Sequence, residues 1–597
     1  MMIRTPQISR LRLLILAVAS LVAPALAQAE KAPQPLELGT PFLDNMILQR
    51  GVDLPVWGWA EPGTEVTVAF AGQSRSAKTG EKGKWSLELA PLQASSEERE
   101  FTVTAASGEQ LRLQGVLVGE VWLASGQSNM VWIARKSRCR DLSESLAKAE
   151  KDIPIRELSI DTVSALYPQE RGRSERGWKK SADAMGFSAL ALAFAHDLYK
   201  ELNVPVGILL CAQSNTRIEA FTQREAIEAH PKLKVDADLM HDADPLTAQG
   251  KAAYEQYYRD LAAWQKEAAA LSKAGGKIPQ RPELPGIASM WRGPSQFFNG
   301  QIHPVIPYAV RGAIWNQGTS NSKDGKIYAA RMEALVRGWR DAWDMPDMPF
   351  YFTQMQPYGS TGPDKMGFAD IRQVQHHFFI NNRENVGMVV QSDHNPARPG
   401  AIHYSEKLHP GMRLARWALA HQYGRDIAYT GPIYQGYEVK DDRVIVSFEK
   451  DSLFGGLMVG SKGHSGDLEN YVEPARPTPG EALNHFRLCG EDGKWHAAEA
   501  QIVGDTVVVR SDAVPAPVGV QYAYNAVPEG SNLYNRAGLP ATPFAAVEGK
   551  LIFQKPRRQI HTPPPAERRP FLHLAEHFRH GVVLQREREI PVWGHAN

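Results

Sequence analysis

Three residues of this chain could do chemistry together: a serine on a sharp turn, a histidine ahead of an amphipathic stretch, and an aspartate at a strand end. Ser128 lies in Ala124-Ser125-Gly126-Gln127-Ser128-Asn129-Met130, directly after an apolar run of strand length. A serine on a turn at the carboxyl end of a parallel strand is exposed at the crevice where such sheets bind ligands. Gly126 permits the tight turn. If a helix starts there, its free N–H groups and positive dipole end face a developing oxyanion. Taken alone, Gly-x-Ser also describes an ordinary N-cap serine. Other segments strengthen the signal. Gln213-Ser214-Asn215-Thr216-Arg217-Ile218-Glu219-Ala220-Phe221 follows the apolar run Val206–Leu210, and Asn316-Gln317-Gly318-Thr319-Ser320-Asn321 follows Ala313–Trp315. Asp393 follows Val386–Val390, and His403 precedes the amphipathic stretch Lys407 to Ala420. Polar groups therefore gather after strand upon strand at one sheet edge. Ser128 as nucleophile, His403 as base and Asp393 as orienter could form a triad there.

Positioning these groups requires a particular scaffold. From Gly115 to about Gly424, apolar runs of strand length alternate with helical patterns, which predicts an α/β domain, 115–425, with a parallel sheet covered by helices on both faces. Within it, the polar stretch Thr247–Lys273 predicts a helix in a surface insertion at about 225–285. Before it, 36–114 reads as a small antiparallel β domain: Glu65-Val66-Thr67-Val68-Ala69-Phe70 and similar runs are separated by Pro62-Gly63 and Gly80-Glu81-Lys82-Gly83. After it, 426–553 reads as a C-terminal β-sandwich containing Arg443–Phe448 and Thr506–Arg510. Residues 554–571 are rich in Pro and Arg and predict an extended linker. The last segment, 572–597, repeats the first β region. Phe42, Leu48, Gln49, Arg50, Pro55, Val56, Trp57 and Gly58 recur as Phe578, Leu584, Gln585, Arg586, Pro591, Val592, Trp593 and Gly594. The chain stops inside what should be a strand, so the expectation is a truncated repeat and a fragment of a longer tandem protein, the alternative being a tail that packs as a stray hairpin.

Composition bounds the rest. The 597 residues exceed one domain, and 43% hydrophobic with 22% charged residues exclude a disordered chain, a collagen or a coiled coil. With Lys+Arg 67 against Asp+Glu 66, the basic excess of a nucleic-acid binder is missing. Cys139, Cys211 and Cys489 are too scattered for a zinc site and allow at most one disulfide. Arg4, Arg10 and Arg12, an apolar run from Leu13 to Val22, and Ala25-Leu26-Ala27 read as a signal peptide, 1–27, cut after Ala27. The expected location is the periplasm or the exterior, with no membrane span in the mature chain.

The motifs together resemble the sialate O-acetylesterase family of the SGNH-hydrolase class, over nearly the whole stretch from Leu36 to Phe553. The segment Leu117 to Met130 resembles the family's nucleophile block. Asn299-Gly300-Gln301-Ile302-His303-Pro304 and Ile314-Trp315-Asn316-Gln317-Gly318 resemble the next two, and Ile402-His403 with Lys407, Gly411 and Arg413 resembles the histidine block. The resemblance implies that Ser128 attacks an acetyl carbonyl on a sugar and that His403 takes its proton. It implies an oxyanion hole of the Ser128 N–H, an N–H near Asn215 and the Gln317 amide, with no metal and no cofactor. Acetylated sialic acid is the implied substrate. An acetylated xylan or other glycan, or an inactive carbohydrate-binding homologue, is the alternative. The chain departs from the family at Ser214-Asn215 (two glycines), Thr319 (Glu) and Tyr404 (Pro). The last departure leaves His409-Pro410 as a rival for the base, although the spacing to Gly411 favours His403. Arg217 and Arg398 are candidates to meet an acidic sugar's carboxylate.

Overall fold

The computed structural model describes residues 34–149, 152–394, 401–463 and 473–553, and beyond them only 573–574 and 594–595. Strand β1, Gln110–Gly126, is its spine. The first half of β1 alternates exposed and half-buried residues, and Val116 to Gly126 is buried throughout. That change marks a passage from an open antiparallel edge to a sheet covered on both faces. Six further strands build the sheet: β2 (Ile155–Ser159), β3 (Trp178–Lys179), β4 (Val206–Ala212), β5 (Gly312–Asn316), β6 (Phe350–Thr353) and β7 (Val386–Val389). Their order is β3-β2-β4-β1-β5-β6-β7, parallel throughout except for the antiparallel edge strand β3.

The N-terminal half of β1 pairs antiparallel with Ser95–Ala105 and parallel with Ile47–Gln49. One strand thus crosses from the N-terminal β region into the α/β region, at the position where the sequence suggests a boundary. A single apolar core runs from Leu36 through Trp122 and Trp315 to Ile433. Turn residues separate elements but do not reveal whether the next strand joins the same sheet.

Among the helices are α1 (Ser128–Val131), α2 (Ala189–Leu202), α3 (Ala248–Lys273), α4 (Ile327–Trp343), α5 (Ala369–Asn381) and α6 (Leu408–Gln422). Alternation along each strand assigns their faces. Trp122 meets Phe194 of α2, and Tyr351 meets Trp417 of α6. The neighbouring side chains point the other way: Trp315 meets Trp339 of α4, and Phe352 meets Phe378 of α5. Gly411 lets α2 and α6 close on each other, since a methyl there would lie 2.5 Å from Ala193 Cβ. Helix α3 matches the expected insertion, with Thr247 as its N-cap accepting from Gly250 N.

From Tyr434 onward, three small antiparallel sheets of four, three and five strands surround a separate apolar core. This region docks on α5 through Gln373, whose amide donates to Ala545 O at 2.8 Å and accepts from Ala545 N at 2.8 Å. All three cysteines are buried and unpaired, so the single disulfide that the count allows is not formed. Arg557–Asn597 forms a second compact unit, of which only the antiparallel pair His573–Leu574 with Gly594–His595 is described. The leader 1–27, the linker and the rest of the repeat lie outside the described residues.

Candidate active site

The parallel register brings three strand ends level. Ala212 of β4 and Asn316 of β5 both stand opposite Gly126 of β1. Gly126 has φ 137°, and a methyl there would sit 2.2 Å from Asn316 O, so glycine is required. Ser128 follows on the first position of α1. That helix is one turn long, so it offers free N–H groups rather than a macrodipole. Ser128 is half-buried and its hydroxyl makes no hydrogen bond among the described residues.

Its neighbour Asn129 is fully buried and ties this turn to the histidine segment. Asn129 Nδ2 donates to Ile402 O at 3.1 Å, and Lys407 Nζ donates to Asn129 Oδ1 at 3.0 Å. Gln356 Nε2 donates to the same Ile402 carbonyl at 2.9 Å. His403 stays solvent-accessible and stacks on Trp132, one helical turn beyond Ser128, with centroids 5.0 Å apart and planes 21° apart. Partial burial, with the nearby Lys407 charge, holds its imidazole below the ordinary pKa. Tyr404, where the family has proline, is buried and donates its hydroxyl to Gln391 Oε1 at 2.6 Å. It therefore anchors the segment by another means. Ser128 and His403 are not hydrogen-bonded to each other, as is common before substrate arrives.

The oxyanion donors divide. Asn215, where the family has glycine, adopts the left-handed region at φ 53°. Asparagine tolerates that geometry better than other side chains. Among the described residues, neither the Ser128 N–H nor the Asn215 N–H has a backbone acceptor. Gln317 differs. It is fully buried, its Nε2 donates to Thr216 O at 3.0 Å and to Asn321 Oδ1 at 2.7 Å, and its Oε1 accepts from Tyr328 at 3.0 Å. Both amide protons are spent inside the fold. The side chain holds the Thr216 loop rather than facing Ser128, so the expected oxyanion role does not fit it. Gln317→Ala is expected to leave the buried Thr216 carbonyl without its donor, while Tyr328 keeps the Gln317 backbone carbonyl at 2.9 Å, and to cost about 1–3 kcal/mol. A fall in melting temperature, with kcat per folded molecule changing little, checks this.

Asp393 is not brought to His403. Both its oxygens are taken by Arg413, at 2.9 and 2.7 Å, and Arg413 also binds Glu473 at 2.8 Å. The rival His409 lies in the same buried ionic cluster. Its Nδ1 accepts from Lys462 Nζ at 3.0 Å and its backbone N–H donates to Glu406 Oε1 at 3.1 Å. Burial, reinforced by Lys462, lowers its pKa to about 4. Burial would raise the Glu473 pKa, but Arg413 and Lys462 overcome it and hold the carboxyl at about 2. Arg217 is engaged too, with Glu219 at 2.6 Å and Asp324 at 2.8 Å. Arg398 lies outside the described residues. Trp132, Asn129 and Lys407 are the positioning residues that sequence reasoning missed. Asn129 and Lys407 lie in the motifs that resemble the family's blocks, the one available signal, and Trp132 lies just past the first of them.

The comparisons with known proteins agree with this architecture. The family described as carbohydrate esterase, sialic acid-specific acetylesterase matches residues 291–420. The sialate O-acetylesterase of Rattus norvegicus is 26% identical over 443 residues, covering 67% of this chain and 76% of that protein. The Homo sapiens protein of the same name is 24% identical over 436 residues, covering 66% and 73%. A carbohydrate acetylesterase from Xanthomonas citri superimposes with a TM-score of 0.67 at 27% identity, covering 86% of this chain and 99% of that one. The chain thus matches the sialic acid-specific acetylesterase family over residues 291–420 and is a carboxylic ester hydrolase, a sugar acetylesterase.

Proposed function

We propose that this chain is an exported serine esterase that removes O-acetyl groups from sialic acid, using Ser128 and His403. The observation that carries the reading is the junction of the two segments: Asn129 and Lys407 join the serine turn to the histidine segment, and Trp132 carries the His403 ring. Ser128 Oγ attacks the acetyl carbonyl as His403 takes its proton. The N–H groups of Ser128 and Asn215 receive the oxyanion, each worth roughly 2.7–4 kcal/mol if well aimed. As the carbonyl re-forms, the C–O bond to the sugar breaks and His403 returns the proton to the leaving alkoxide. Water, deprotonated by His403, then attacks the acetyl-serine; as acetate leaves, His403 passes that proton to Ser128 Oγ. Asp393 acts at a distance in this scheme, through Arg413 on α6, so orientation of His403 falls to Trp132 and the Ile402 anchor. The arginine-flanked apolar leader supports export.

The direct test is acetate release from an aryl acetate, from O-acetylated sialic acid and from acetylated xylan, with and without a serine-directed organophosphate. Inhibitable release with preference for the sialic acid supports the reading. Preference for xylan overturns the substrate, and insensitivity to the organophosphate overturns the mechanism.

The base must be unprotonated to act. Burial disfavours the charged imidazole, so kcat/KM should rise with pH along a limb whose midpoint lies below the ordinary histidine value of 6.5 and be flat above neutrality. A pH–rate profile checks this, and a midpoint above 6.5 contradicts it.

A further inference from the structure

The segment following Gly286–Ser289 carries two side chains that the mechanism does not use. Trp291 is 50% exposed, with its ring edge-on to Phe297 at 5.5 Å. The Arg292 guanidinium lies over that indole, 4.7 Å from the centroid. Its Nη1 donates to Asn215 O at 2.7 Å. Arg292 thus sits on the loop whose N–H the mechanism above assigns to the oxyanion. Among the described residues it has no carboxylate partner, and its Nε has no hydrogen-bond partner at all. Arg217, on that same loop, is bound by Glu219 and Asp324.

The segment is also fixed in place. Gly293 N donates to Gln296 Oε1 at 2.7 Å, Gln296 Nε2 donates to Ile287 O at 2.9 Å, and Ser295 N donates to Glu219 O at 2.8 Å. A partly desolvated guanidinium with no acid beside it, held against a flat and half-exposed ring, is prepared for a ligand that supplies the anion and an apolar face. Neutral glycans offer the second feature without the first.

We propose that Trp291 and Arg292 form the specificity subsite for an acidic sugar, Arg292 pairing with its carboxylate and the Trp291 indole packing against its ring. This rests on the esterase reading above and adds the group that selects the substrate's charge. The Arg292–Asn215 bond couples the subsite to the loop that faces the reacting ester.

The test compares full-length wild type, R292Q, R292K and W291A on O-acetylated sialic acid, its carboxyl methyl ester and an aryl acetate. For R292Q, the kcat/KM ratio of acid to methyl ester should fall about tenfold or more, chiefly through KM, since a charge-assisted pair is lost. R292K should recover part of that ratio, and W291A should lower both sugars relative to the aryl acetate. An R292Q variant that loses activity equally on all three substrates would mean that Arg292 only props the Asn215 loop, and the subsite proposal would fall. A wild type that prefers the methyl ester would overturn it as well, while leaving the esterase standing. Loss of the underlying reading would look different, as organophosphate-insensitive turnover on every ester.

Discussion

Ser128→Ala should abolish acetate release from every ester the wild type accepts, with kcat falling by about four to six orders of magnitude. The size follows from what is removed. Without Oγ no acetyl-serine forms, and the remaining groups can only bind the ester and polarise its carbonyl toward water. Residual turnover over the uncatalysed rate then comes from the N–H donors and binding alone. Stability should hardly change. The Ser128 hydroxyl has no hydrogen-bond partner in the described fold, while the contacts that hold the turn belong to Gly126 and Asn129. A surface substitution of this kind is usually within about 0.5 kcal/mol. The measurement is kcat beside melting temperature, together with labelling by a fluorescent organophosphate. Wild-type turnover in the variant, or labelling that persists, would remove Ser128 from the chemistry and with it the whole serine mechanism.

Much of the scaffold was legible because period and burial agree. The apolar runs after Val206, Gly312, Phe350 and Val386 became β4 to β7 with ends shifted by no more than two residues, and Thr247 capped the insertion helix as a threonine at that spacing should. Strand β2 was missed for a physical reason. Arg156 and Glu157 are charged yet fully buried, so the segment does not read as apolar. Arg156 is neutralised by Glu98 at 2.9 Å, and Glu157 by Lys179 at 2.6 Å, and none of these pairs is local enough to be visible in sequence. The same limit governs the site. Spacing and resemblance placed Ser128 and Asn215 just after strand ends that the parallel register levels, and His403 ahead of the amphipathic helix α6. They could not tell where a side-chain amide or carboxylate would spend its hydrogen bonds. Gln317 turned inward to Thr216 and Asn321, and Asp393 turned to Arg413, because each had a buried partner on a distant segment. Arg292 was passed over for the opposite reason. Lack of a partner is a property of the folded surroundings and leaves no mark on the sequence.

The two histidines on either side of Tyr404 should separate cleanly when substituted, because the fold uses them differently. His403→Ala removes an accessible ring that rests on Trp132 and hydrogen-bonds to nothing among the described residues. It should keep its melting temperature and lose kcat by about two to four orders of magnitude, the usual worth of a positioned base. His409 is buried on the first turn of α6, and its Nδ1 accepts from Lys462, which also contacts Glu473 at 2.7 Å. Removing that acceptor from a buried ionic cluster should cost about 1–3 kcal/mol of stability. The cost is paid where α6 meets the C-terminal β region, since Arg413 joins Asp393 to Glu473 there. Turnover of His409→Ala per folded molecule should therefore stay within severalfold of wild type, and its pH limb should not move. A variant pair with the reverse pattern, His409→Ala inactive yet fully stable and His403→Ala active, would make His409 the base. It would then require the buried cluster to open toward Ser128 during turnover, which the bonds from Lys462 and Glu406 to His409 oppose.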